Sequence, residues 1–152
     1  MATKVGEGKY GKYIIEEPKL VKDMLFHDLS KPSGFTYPDE VYIDAELCPE
    51  AGSWVDMNWI WEKTNPRELP ELHRHPFAEI VLLIGSDPKD LRYLGGELSW
   101  GMGEGDDAET FTLTQTTAIY VPANLPHAPL IFERVDRPIL NVAIGLDTGD
   151  YT

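Results

Sequence analysis

Three of the four histidines in this 152-residue chain fall into two tight motifs whose residue types and spacing suit metal ligation. His73-Arg74-His75 places two imidazoles at i and i+2, which on a strand sends both side chains to one face. Glu79 follows past Pro76, a residue able to turn the chain, and heads the apolar run Ile80-Val81-Leu82-Leu83-Ile84. A carboxylate that opens an apolar strand is costly to bury without a partner, and a cation would be that partner. The third imidazole, His127, ends Val121-Pro122-Ala123-Asn124-Leu125-Pro126-His127. There a strand stops at Pro122, Asn124 permits a tight turn, and a new strand opens at His127. Two antiparallel hairpins would bring His127 beside His73, His75 and Glu79. Three imidazoles and one carboxylate form a borderline-soft donor set. It suits one divalent transition metal (iron, manganese, zinc, nickel, cobalt or copper) better than calcium or magnesium. The expectation is one ion per chain.

Other residues invite chemistry with less support. Tyr120 shares parity with Ala118 and Pro122, and a phenol close to an ion is a candidate catalytic proton donor. Trp59 and Trp61 share one strand face and would form one wall of a substrate pocket if that face points inward; Trp54 and Trp100 read as packing residues. His27 follows Met24-Leu25-Phe26 and reads as a surface or packing residue. The acidic stretch 104–109 lacks the spacing of a calcium loop and reads as a solvated hairpin tip. Cys48, the one cysteine, has no basic neighbour to lower its pKa, so it is not read as a nucleophile.

The elements that must position these groups are short strands. Val55-Asp56-Met57-Asn58-Trp59-Ile60-Trp61 alternates, with Val55, Met57, Trp59 and Trp61 on one face. Residues 80–84 form an apolar run short enough for a strand buried on both sides, closed by Gly85-Ser86-Asp87-Pro88. Further strands are expected within 41–45, 91–100, 111–113, 118–121, 130–132 and 139–144. Twelve prolines and thirteen glycines punctuate them, a pattern that argues for a sandwich or barrel. Before residue 45 the chain is mixed. Pro18 opens a possible short helix with Leu20, Val21, Met24 and Leu25 on its apolar side, broken at Pro32-Ser33-Gly34. The expected organisation is an N-terminal arm over 1–45 and a β-barrel over 46–152.

The two histidine motifs together resemble those of the cupin superfamily. Its first motif has two histidines separated by one residue, then a glutamate, then a glycine: here His73, His75, Glu79 and Gly85. Its second has a proline, a turn residue and a histidine: here Pro122, Asn124 and His127. Thr116 and Asn124 stand where glycines are usual, Ile131 stands where asparagine is often found, and the stretch between the motifs is long. The resemblance covers roughly residues 55 to 145. It implies an all-β, double-stranded β-helix (a jelly-roll barrel) with the metal in the barrel mouth, and frequent homodimers.

Two functions fit such a chain. One is a metal-dependent enzyme acting on a small, planar, oxygen-bearing molecule, of dioxygenase, isomerase or lyase type, in which the ion polarises a carbonyl or enolate oxygen or binds dioxygen. The other is a non-catalytic sensor or storage protein. Thirteen basic residues against 26 acidic ones, a net charge of −13, argue against nucleic acid or anionic membrane as partners. No window approaches the length of a membrane span, the N-terminus lacks a signal-peptide pattern, and a lone cysteine suits a reducing compartment. The expectation is a cytoplasmic homodimer, its N-terminal apolar pieces covering strand edges.

Overall fold

A computed structural model describes residues 4–21, 34–36, 38–63 and 71–151. Nine strands occur among the described residues: β1 (Lys19–Val21), β2 (Asp39–Ile43), β3 (Trp54–Ile60), β4 (Glu79–Gly85), β5 (Tyr93–Met102), β6 (Glu109–Gln115), β7 (Thr117–Val121), β8 (His127–Val135) and β9 (Ile139–Gly145). Two single 3₁₀ turns, Gly11–Tyr13 and Gly105–Asp107, are the only helical pieces among them. The strands form a six-stranded sheet in the order β1-β2-β3-β9-β4-β7 and a three-stranded sheet in the order β6-β5-β8, and every pairing is antiparallel. The fold is the expected all-β double-sheet barrel, with the barrel not fully closed.

The core lies between the sheets. Ile60, Val81, Leu83, Val121 and Ile139 from the large sheet meet Leu94, Leu98, Trp100, Leu130 and Phe132 from the small one. β-branched and aromatic residues dominate because such side chains fit a pleated, half-buried surface. β4 departs from the expectation of a strand buried on both sides. Val81 and Leu83 are buried, whereas Ile80, Leu82 and Ile84 on the opposite face are only partly so. The expected helix from Pro18 also fails where it can be seen. Lys19–Val21 is a strand paired with β2, so cross-strand hydrogen bonds have overridden the helical apolar spacing. The remainder of that segment, with His27, Pro32 and Ser33, lies outside the described residues.

Register sets what faces inward. Trp54, Asp56, Asn58 and Ile60 of β3 are buried, and Trp59 is exposed. Two of the departures from the cupin motifs, Thr116 and Asn124, find local work. Thr116 Oγ1 accepts a hydrogen bond from Gly85 N at 3.0 Å, tying the end of β4 to the start of β7. Asn124 takes a left-handed backbone with φ of 64°, a conformation asparagine tolerates far better than most side chains.

Candidate metal centre

The two motifs meet through backbone before any side chain is considered. His73 and His127 form an antiparallel bridge, with His73 N donating to His127 O at 3.1 Å and His127 N donating to His73 O at 3.0 Å. Asn124 N donates to His75 O at 2.8 Å, a second tie between the motifs. Glu79 opens β4, its side chain only 12% exposed.

All three imidazoles are held in the same way. His73 Nδ1 lies 2.6 Å from Glu71 O, His75 Nδ1 lies 2.7 Å from Phe77 O, and His127 Nδ1 lies 2.9 Å from Leu125 O. A carbonyl only accepts, so each Nδ1 carries the proton and each Nε2 keeps its lone pair. The Nε2 atoms of His75 and His127 are buried and have no hydrogen-bond partner. Such atoms cost roughly 1–3 kcal/mol each when left unmade, so a native site that keeps two of them calls for a ligand. Glu79 Oε2 stands 3.5 Å from His75 Nε2 and 3.6 Å from His127 Nε2. Two donors each about 2.1 Å from one ion lie roughly 3.0–3.4 Å apart, so these three atoms are close to a shared coordination shell. The ligand atoms of the three histidines lie within 4.8 Å of one another, and the triad needs to close by roughly 1.5 Å around an ion. The donor set fits a transition metal.

Electrostatics favour the neutral, ligating form at two of the three histidines. Burial lowers the pKa of His73 and His127 and so favours the neutral imidazole. At His75 burial works in the same direction, but the Glu79 carboxylate and the Phe77 carbonyl outweigh it and the pKa rises. Aromatic rings wall the cluster. Phe77 stacks on His75 with ring centroids 4.1 Å apart, and Trp100 stacks on His127 at 6.0 Å. Trp54 meets Phe77 edge-on at 5.9 Å, its indole lying over Gly145, where a Cβ would come within 2.2 Å of the ring. Gly145 is the strand partner of both Trp54 and Glu79, so the absent side chain leaves the indole room beside the site.

No family model matches this chain, and no curated protein matches its sequence. Solved structures do match. Oxalate oxidase in complex with the substrate analogue glycolate aligns over 81% of this chain and 55% of its own, with 15% identity and a TM-score of 0.54. Bacillus subtilis oxalate decarboxylase, a protein with Mn(II) centres, aligns over 90% of this chain and 29% of its own, with 18% identity and a TM-score of 0.55. Fe(II)-HppE with an alternative substrate aligns over 88% of this chain and 58% of its own, with 10% identity and a TM-score of 0.55. This chain has the cupin fold. It spans about half the length of the oxalate oxidase it matches. The three histidines give this chain a group able to hold a metal.

The other expected site residues lie elsewhere. Trp59 and Trp61 are 43% and 48% exposed, and Trp59 sits on the outer face of β3, so neither lines the cupin interior. The sequence left the facing of this alternation open, and Trp59 faces outward because the inner face of β3 carries Asp56 and Asn58. Tyr120 is 59% exposed and pairs with Ile80 on the outer face, one register step away from Glu79 and Val121. The acidic stretch is exposed, with Glu104 Oε1 accepting from Arg74 Nη2 at 2.7 Å. Cys48 is buried and free.

A buried polar cluster went unforeseen. Asp39 Oδ1 accepts from Asn58 Nδ2 and Asp39 Oδ2 accepts from Tyr151 OH, both at 3.0 Å, while Asp56 Oδ1 accepts from Ala143 N at 3.2 Å. Burial, then the neighbouring Asp39 carboxylate, raises the Asp56 pKa well above its ordinary value. Burial also raises Asp39. Burial and the two aspartates raise the Tyr151 phenol. The one sequence signal was Trp54 and Ile60 flanking Asp56 and Asn58 at the same parity.

Proposed function

We propose that this cupin is a metal-dependent enzyme whose ion is held by His73, His75, Glu79 and His127 and whose substrate is a small carboxylate or related oxygen donor. The observation that carries the reading is the pair of buried, unpartnered Nε2 atoms on His75 and His127, both facing the Glu79 carboxylate. When bound, a divalent ion supplies a Lewis acid to a carbonyl, enolate or carboxylate oxygen. The chain supplies the rest. Carbonyls of residues 71, 77 and 125 fix the imidazoles, and Phe77 and Trp100 exclude water from their faces. Trp54 and Trp100 take over the role first given to Trp59 and Trp61. Each buries an indole N–H without a partner, a donor suited to a substrate oxygen. Manganese and iron come first among the candidate metals, because the matched cupins are described with Mn(II) and Fe(II).

Oxalate and glycolate, named for the matched oxalate oxidase, are the first probes. Metal-loaded protein is titrated with each while tryptophan fluorescence is followed. Quenching that requires the metal and disappears in His127→Ala supports the reading. Quenching indifferent to metal, or none across small aliphatic and aromatic acids, overturns it.

A further inference from the structure

The segment that follows β9 is tied down along its length. Leu146 N donates to Ala78 O at 2.9 Å, next to Glu79 in the chain, and Gly149 N donates to Gly52 O at 3.2 Å. Between them Asp147 N donates to Ser53 Oγ at 3.3 Å. Asp147 and Gly149 take left-handed backbones, with φ of 53° and 74°, and Tyr151 then lies against β3. Its hydroxyl donates to Asp39 Oδ2 at 3.0 Å, and its ring meets the Trp54 indole edge-on with centroids 4.8 Å apart. The contacts continue to a metal ligand. Trp54 meets Phe77 edge-on at 5.9 Å, and Phe77 stacks on His75 at 4.1 Å with the ring planes 9° apart. Phe77 holds His75 twice, because its carbonyl also accepts from His75 Nδ1. At His73 and His127 the carbonyl comes instead from Glu71 and Leu125, which offer no ring.

We propose that Tyr151 is a positioning residue for the metal centre: pinned by its hydroxyl to Asp39, it holds Trp54 against Phe77 and so fixes the angle at which His75 presents Nε2. The inference rests on the reading of His73, His75, Glu79 and His127 as the ligand set.

Both ends of this path are built to set an orientation. Tyr151 and Trp54 stand at 79° to one another, and Trp54 and Phe77 at 87°. Edge-to-face is an arrangement that ring quadrupoles favour over a sandwich, so each ring constrains the tilt of the next. The polar end is equally fixed. Asp39 Oδ1 accepts from Asn58 Nδ2 at 3.0 Å, and Asn58 Oδ1 accepts from Asn141 Nδ2 at 3.3 Å. The acceptor for the phenol therefore belongs to a network that spans β2, β3 and β9. A tyrosine meets both demands of the place: the ring suits the indole, and the hydroxyl answers a buried carboxylate that is costly without a donor. Outer partners that orient a metal ligand govern how tightly the ion is held.

Titrating the chelator-stripped full chain with Co(II), read by visible absorption, gives the affinity and the ligand geometry together. Tyr151→Leu should raise the Co(II) dissociation constant roughly tenfold, the lower end of what removing a partner of a metal ligand costs, and should shift the absorption bands. Tyr151→Phe keeps the ring on Trp54 and should move both quantities the same way by less; it carries the test if Tyr151→Leu fails to fold by circular dichroism. Phe77→Leu cuts the path nearer the ion, so adding Tyr151→Leu to it should change the affinity little further. Two Tyr151 variants with the wild-type spectrum and affinity, whatever their melting temperatures, overturn the proposal. So do effects of Phe77→Leu and Tyr151→Leu on Co(II) affinity that simply add, as independent sites do. A wild type that takes up no Co(II) overturns the ligand assignment itself, and this inference with it.

Discussion

Replacing His75 with alanine separates what the ligand does for the ion from what it does for the fold. In metal-free protein the substitution removes a stacked contact with Phe77, worth about 0.5–1.5 kcal/mol, and opens a partial cavity. It also deletes a buried nitrogen that has no partner, recovering roughly 1–3 kcal/mol. These effects oppose one another, so chelated wild type and chelated His75→Ala should melt at similar temperatures. With metal present they should part. An ion at 100 times its dissociation constant stabilises the native state by about 2.7 kcal/mol, and for a domain of this size each kcal/mol is worth about 2–4 °C. The wild type should gain on the order of 5–10 °C, and His75→Ala far less. Differential scanning fluorimetry with and without chelator, paired with elemental analysis of untagged protein, reads both quantities. A variant that keeps stoichiometric metal and shows the full wild-type shift would refute the ligand assignment.

Three further outcomes follow from the same geometry. Asp56 has its folded pKa raised, chiefly by burial, so its stabilising contribution is complete below the ordinary carboxyl range and is lost as pH climbs through the raised value. Asp56→Asn keeps an acceptor for Ala143 N and should raise the melting temperature progressively as pH increases above about 4; a denaturation series showing the gain only at acid pH would contradict this. Gly145→Ala sets a methyl group within 2.2 Å of the Trp54 indole and should cost about 1–3 kcal/mol in urea unfolding while weakening metal retention, since Glu79 is the neighbouring strand partner. Tyr120→Phe, on the outer face, should leave metal content and any turnover on small carboxylates unchanged, and a large loss of rate would return Tyr120 to the site.

The histidine motifs were legible because their spacing acts through local geometry. An i, i+2 pair and a proline-flanked turn mean nearly the same thing in any sheet. Facing was not legible in β3. Parity separates two sets of side chains but does not say which is inside, and here Val55, Met57 and Trp59 look more like a core face than Trp54, Asp56 and Asn58 do. The answer depended on Tyr151, far along the chain, whose hydroxyl donates to Asp39 and so helps Asp39 stand inside beside Asp56. β1 escaped for a similar reason. Leu20 and Val21 fit a helical stripe, but the pairing with Asp39 and Glu40 that makes them a strand is a non-local fact.

The carbonyls that aim the three imidazoles each belong to the same short loop as the ring they hold, only two residues away. No imidazole depends on another for its Nδ1 bond. Substituting one ligand therefore leaves the remaining two pointing as before. Such a centre is modular, and its donor chemistry can drift one side chain at a time, from imidazole to carboxylate or thiolate, without passing through a collapsed site.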